Sequence, residues 1–123
     1  MNNPVTWFEI ATTDLERAKA FYTAVFNSNF EYIEMPDDTK MYMFAGGPEA
    51  PGAMGALIHG KENIPSSEGT IIYFQCEDVA VEASKVEAAG GKLLFPKTSI
   101  GEFGFISQLI DTEGNRIGLH SNA

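Results

Sequence analysis

Two histidines, a single cysteine and one carboxylate set in an apolar strand are the residues of this chain whose types invite chemistry. Glu9 sits among Trp7, Phe8 and Ile10. A carboxylate buried there without a partner would cost several kcal/mol. Glu9 is therefore solvated in a cavity, paired with a cation such as Arg116 or His120, or held protonated. A cavity carboxylate with a raised pKa is what a general base near neutrality requires. The structural alternatives are an ion pair and a hydrogen bond to backbone. His120 has the side chain of a proton shuttle, although a histidine near a strand end is commonly just solvated. These two are the candidate catalytic residues. Tyr73 either donates a hydrogen bond to a ligand or walls the pocket. Trp7, the lone tryptophan, is a pocket wall or a packing plug. Cys76 stands beside Glu77 and Asp78 with no cationic neighbour to lower its pKa, so it is not expected to act as a nucleophile.

The elements that must position these groups occur twice. At a shift of 64 residues, Thr6-Trp7-Phe8-Glu9-Ile10 lies over Thr70-Ile71-Ile72-Tyr73-Phe74, and Asp14-Leu15 lies over Asp78-Val79. At a shift of 63, Met54-Gly55-Ala56-Leu57 lies over Ile117-Gly118-Leu119-His120. Each copy opens with a strand, over 5–11 and 70–76, rich in β-branched and aromatic residues. A helix follows. In the first copy Thr13 and Glu16 have the capping-box spacing, and Leu15, Ala18, Phe21, Tyr22, Val25 and Phe26 form an apolar face. In the second, Asp78 caps a helix carrying Val79, Ala83, Val86 and Ala89, which Gly90-Gly91 ends. Three strands complete each copy, near 30–35, 40–45 and 54–59, then near 92–95, 103–110 and 115–120. Asp111-Thr112-Glu113-Gly114-Asn115 reads as a hairpin loop. The segment 99–104, with Gly101 and Gly104, reads as a glycine-hinged loop able to close over a site.

The chain has 123 residues, a net charge of −9 and 44% hydrophobic residues. That allows one domain, 1–123, with module one over about 1–62, a linker over about 60–69 and module two over about 70–123. Eight scattered basic residues make no stripe for nucleic acid. No apolar run reaches the ~20 residues of a membrane span. Met1-Asn2-Asn3-Pro4 lacks the basic flank of a signal peptide, so a cytoplasmic protein is expected. One cysteine excludes an internal disulfide framework and an iron–sulfur cluster. No phosphate-binding fingerprint is present. Met35, Met41, Met43 and Met54 are read as core filler.

In order and wording the chain resembles the vicinal oxygen chelate superfamily, which includes glyoxalase I, bleomycin-resistance proteins and extradiol dioxygenases. The matching pieces are Trp7-Phe8-Glu9-Ile10, Thr13-Asp14-Leu15-Glu16-Arg17-Ala18, Phe21-Tyr22, Val25-Phe26, Tyr73-Phe74, Glu77-Asp78-Val79, Ala88-Ala89-Gly90-Gly91 and the 111–115 hairpin, where Thr112 replaces the usual proline. The likeness spans essentially the whole chain and leans toward a bacterial glyoxalase-like group. It implies an α+β fold of two βαβββ modules forming a curved, cup-shaped mixed sheet with helices outside. It also implies a homodimer, with modules paired within or between chains. Family enzymes hold a divalent metal at the first and last strand of each module, which polarises two neighbouring substrate oxygens. The resemblance places those corners at Trp7, Ile71, Gly118 and Gly55. None of these side chains can bind a metal. No cofactor is therefore expected, and glyoxalase I and extradiol dioxygenase activities are disfavoured. A displaced metal triad of Glu9, His59 and His120 is the alternative.

Alternation along the strands then gives the residues expected to line the cup and bind ligand: Trp7, Glu9, Leu57, His59, Ile71, Tyr73, Gln75, Arg116 and His120, with Gly55 and Gly118 beside them. Phe8, Ile10, Met54, Ala56, Ile58, Ile72, Phe74, Ile117 and Leu119 are expected to face the helices. Two functions stand. One is a metal-independent lyase or isomerase using Glu9 or His120. The other is a non-catalytic binder of a small molecule or antibiotic. A filled cup with no ligand is the bland third.

Overall fold

The computed structural model describes residues 3–123; Met1 and Asn2, part of the N-terminal segment read above for a leader, lie outside the described residues. The chain runs β1 (Trp7–Ala11), α1 (Leu15–Phe26), β2 (Phe30–Glu34), β3 (Lys40–Phe44), β4 (Met54–His59), β5 (Ile72–Gln75), α2 (Val79–Ala83), β6 (Lys92–Ser99), β7 (Phe105–Ile110) and β8 (Arg116–Ser121), with a 3-10 turn at Gly101–Phe103. The strands form two four-stranded mixed sheets of one topology, β1-β4-β3-β2 and β5-β8-β7-β6. The parallel pairs are β1 with β4 and β5 with β8. The class is α+β, as expected.

Local chemistry explains the helix ends. Asp14, not Thr13, caps α1: its carboxylate accepts the Arg17 backbone N–H at 3.0 Å. The Thr13 hydroxyl instead donates to Glu113. Asn27 closes the helix in the left-handed conformation at φ 56°. The helix expected up to Gly90 is regular only over Val79–Ala83. Ser84 Oγ donates to the Val81 carbonyl at 2.7 Å, a side-chain bond that competes with the helical ladder. The chain continues in turns that still bury Val86 completely.

One apolar core joins both sheets. Ala18, Phe21, Tyr22 and Val25 of α1 meet Ile10 and Leu57 of the first sheet, and Leu109, Ile117 and Leu119 of the second. Phe74 of β5 crosses into the aromatic cluster of the first sheet. Its ring stacks on Phe26 at 4.5 Å and meets Phe8 edge-on at 6.0 Å.

Strand registers decide which face each side chain takes. In the second sheet Tyr73 pairs with Gly118 and Gln75 with His120, so these residues and Arg116 share the face away from the helices, as expected. In the first sheet Phe8 pairs with Gly55 and Ile10 with Leu57, which places Gly55, Leu57 and His59 on the helix side. Met54, Ala56 and Ile58 share the outer face with Trp7 and Glu9. This reverses the expectation for β4. Glu9 pairs with Ala56 and Tyr73 with Gly118, so the counterpart of Gly118 is Ala56 rather than Gly55. A one-residue slip turns over every side chain of a strand. The pattern did not expose the slip because β4 is apolar on both faces. Met41, Ala56 and Ile58, with Ile33 and Met43, form a second apolar cluster on the outer side.

Gly55 and Gly118 serve one packing device on opposite faces. A methyl group on Gly55 would overlap the Phe8 ring, and one on Gly118 the Tyr73 ring. Each glycine lets an aromatic side chain lie flat across its neighbouring strand.

Candidate functional site

The outer face of the first sheet carries the largest cavity described here, about 660 Å³. Met41 and Ile58 form its floor, Met35 and Glu9 its walls, and Asp37, Asp38, Lys61 and Glu62 its charged rim. Glu9 accepts a hydrogen bond from the Trp7 indole N–H at 3.2 Å. It is not ion-paired with Arg116 or His120, the partners foreseen for it. No N···O contact within 4 Å joins it to a cation among the described residues. Trp7 is 38% exposed and Tyr73 43%. Both are exposed, and neither is among the residues lining the cavities of this face.

Glu9 also borders a smaller cavity of about 170 Å³ at the seam between the sheets, which Arg116 enters from β8. On the second sheet's outer face a polar chain runs from Arg116 Nη1 to Gln108 Oε1 at 3.4 Å, then from Gln108 Nε2 to the Tyr73 hydroxyl at 2.7 Å. Gln108 went unnoticed in the sequence. Its signal was there, as the polar position between Ile106 and Ile110 on one strand face. Ile71, half-buried, lies just before β5.

The histidines are both engaged. His120 Nε2 lies 2.7 Å from the Phe103 carbonyl, and Nδ1 lies 3.1 Å from Gln75 Oε1. It thereby ties the 3-10 turn to β8. The Gly104 backbone packs against Ser121 and bonds to Gly101 and Ile100, so the segment expected to hinge is fastened. His59 sits on the helix side, its Nδ1 3.0 Å from the Thr12 carbonyl, in an open cleft of about 510 Å³ with Tyr32, Lys40 and Tyr42. A carbonyl only accepts, so Nδ1 carries the proton. Leu57 is fully buried in the core and lines no pocket. His59 and Leu57 thus leave the set of outward residues, because β4 takes the opposite register from the one expected.

Two carboxylates hold the seam. Burial alone would raise the Glu113 pKa. Hydrogen bonds from Arg17, the Asp14 backbone, Thr112 and Thr13 outweigh it and hold the carboxyl at about 2. The Arg17 Nε contact is 2.8 Å, with the Glu113 side chain wholly buried. Asp111 accepts the Tyr22 hydroxyl at 2.7 Å and the backbone N–H groups of Glu113 and Asn115. Tyr22, fully buried, is pushed well above its ordinary pKa by burial and then by Asp111. Cys76 is pushed up to about 12 by burial and by neighbouring Glu82, so its thiol stays protonated and unreactive.

The residues at the four metal corners do not fit a metal. They are Trp7, Ile71, Gly118 and, by register, Ala56 in place of Gly55. An indole, two alkyl groups and a hydrogen offer no ligand lone pair. Among the described residues no three His, Cys, Asp or Glu side chains come together as a ligand group, so Glu9, His59 and His120 do not assemble a triad.

The architecture and the chain's wording have counterparts. A family model described as "Bleomycin resistance protein-like N-terminal" matches residues 5–47. The proteins named "Putative glyoxylase CFP32" in Mycobacterium bovis and Mycobacterium tuberculosis are 31% identical over 115 residues, covering 92% of this chain and 43% of the relative. These likenesses support the vicinal oxygen chelate superfamily resemblance and its fold. The chain spans less than half the length of those curated relatives. Glyoxalase I of Leishmania major superposes with a TM-score of 0.74 at 19% identity, over 98% of this chain and 88% of that one. A glyoxalase/bleomycin resistance protein of Albidiferax ferrireducens superposes with a TM-score of 0.73 at 16% identity, over 98% and 100%. At these identities the likeness concerns the superfamily fold. Among the described residues no helix is long and apolar enough to cross a membrane.

Proposed function

We propose that this protein binds a small organic molecule on the outer face of its first sheet, as a sequestering protein. The observation that carries this reading is the cavity of about 660 Å³ over Met41 and Ile58. Its size lies within the ~300–1,000 Å³ of ordinary ligand pockets. Methionine side chains adapt to varied apolar shapes. The rim sets Asp37, Asp38 and Glu62, with Glu9 on the wall below, against Lys61 alone, which favours a ligand with an apolar body and a cationic group. The homodimer implied by the superfamily belongs to this proposal, and light scattering of the purified protein measures it.

A second reading, a metal-independent lyase or isomerase, is favoured by one feature. Glu9 has an oxygen with no hydrogen-bond partner among the described residues, while the other is oriented by Trp7. Glu9 would be the base. No step runs through a metal, because the corner side chains cannot hold one.

A thermal-shift screen of apolar organic cations tests the first reading. Binding that raises the melting temperature, and weakens in Asp37→Asn/Asp38→Asn, supports it. Indifference of every hit to those changes and to Met41→Ala overturns it. Glu9→Gln separates the two readings: turnover of a bound compound collapses in an enzyme, whereas a binder keeps most of its affinity.

A further inference from the structure

Arg116 is a cation without a carboxylate partner among the described residues. Its Nε is buried and has no hydrogen-bond partner. Its one recorded bond, Nη1 to Gln108 at 3.4 Å, is long, and Gln108 is itself anchored on Tyr73. The guanidinium is thus held by a neutral amide, leaving its Nε edge unmatched. Such an edge presents two parallel N–H groups, the geometry that suits a carboxylate. Arg116 lines the seam cavity of about 170 Å³, which Glu9 also lines. Glu9 Oε2 is taken by the Trp7 indole, and its second oxygen accepts no recorded bond.

One small cavity is therefore lined by a cation with a donor lacking a partner and by a carboxylate with one oxygen free of protein donors, and the two are not within ion-pair distance of each other. We propose that this seam cavity is a recognition site for a small carboxylate bearing a hydrogen-bond donor on the adjacent carbon. The ligand carboxylate lies on the Nε edge of Arg116, and its hydroxyl or ammonium group donates to Glu9. Ile64 and Ile72 close the apolar sides. The volume admits only a few heavy atoms, which excludes the bulkier molecule assigned to the methionine-floored cavity. The two sites share Glu9 but differ in their other groups, so Arg116→Gln tests the seam site alone and Asp37→Asn/Asp38→Asn the larger cavity alone.

Titration with lactate, alanine and propionate, followed through the Arg116 Nε–H resonance by NMR, tests the site. Lactate or alanine is expected to move that resonance in a saturable way. Propionate lacks the second donor and is expected to bind about tenfold more weakly. Arg116→Gln is expected to abolish binding of all three. Gln108→Glu supplies Arg116 with an internal carboxylate while keeping its side chain, and is expected to do the same. Glu9→Gln is expected to erase the preference over propionate while retaining carboxylate binding. A resonance unmoved by any of the three, binding unchanged in Gln108→Glu, or propionate equal to both others in the unaltered protein overturns the proposal. So does a crystal structure with Arg116 and Glu9 in direct contact.

Discussion

Charge placement, more than charge count, governs individual residues here. Glu113 is the clearest case. Its folded pKa of about 2 lies below a free glutamate's 4.5. The proton therefore binds the unfolded chain more readily, and the ion pair stabilises the fold fully above pH 4.5. That contribution fades as pH falls from there toward 2. Urea unfolding at pH 7, 4.5 and 3 should show the loss, and Glu113→Gln should flatten it. Removing the carboxylate in Glu113→Ala leaves Arg17 and two backbone donors of the α1 start unmatched, at an expected cost of about 3 kcal/mol at pH 7. Cys76 makes a second test. With its thiol near 12 and only 6% of the residue exposed, native protein at pH 8 should resist iodoacetamide until denatured. Sequence reasoning foresaw an unreactive cysteine from its acidic neighbours, yet named Glu77 and Asp78. The residue that matters is Glu82, a turn away in the helix. Contacts set by folding cannot be read from adjacency.

Among the elements, alternation was legible wherever a strand has one polar face. β5 and β8 place Tyr73, Gln75, Arg116 and His120 outward because Ile72, Phe74, Ile117 and Leu119 leave no other choice. β4 offers Met54, Ala56 and Ile58 on one side and Gly55 and Leu57 on the other, so hydrophobicity alone does not select a face. Only pairing with β1 decides it. The glycines mark that decision physically. Gly55→Ala must displace Phe8 from the core, whereas Gly118→Ala pushes the half-exposed Tyr73 toward solvent. Overpacking costs about 1–3 kcal/mol, and the loss should be larger for Gly55→Ala. Equal melting temperatures for the two variants would contradict this ordering. α2 shows the converse limit. Its apolar spacing runs on to Ala89, but the regular helix stops at Ala83, where the Ser84 hydroxyl takes up the Val81 carbonyl.

At the scale of the molecule, the two sheets do not make two folding units. Phe74 lies in the aromatic cluster around α1, and Tyr22 of α1 donates to Asp111 between β7 and β8. Thermal unfolding followed by Trp7 fluorescence and by far-ultraviolet circular dichroism should therefore give one coincident transition. Separate midpoints would mean that the shared core is weaker than its burial indicates. Tyr22→Phe leaves a buried Asp111 oxygen short of a donor and should lower that single midpoint, at about 1–3 kcal/mol. The repeated element order made the α+β architecture legible, because each copy is too short to bury a core alone. The partners exchanged across the seam were not, since they lie about a hundred positions apart with no pattern linking them.

That separation has a consequence for synthesis. The Thr13 and Asp14 backbone N–H groups find their acceptor, Glu113, 100 and 99 residues downstream. On the ribosome these two amides at the start of the first helix therefore stay hydrated until residue 113 has emerged. Nascent chains stalled short of the 111–115 hairpin should remain sensitive to protease throughout.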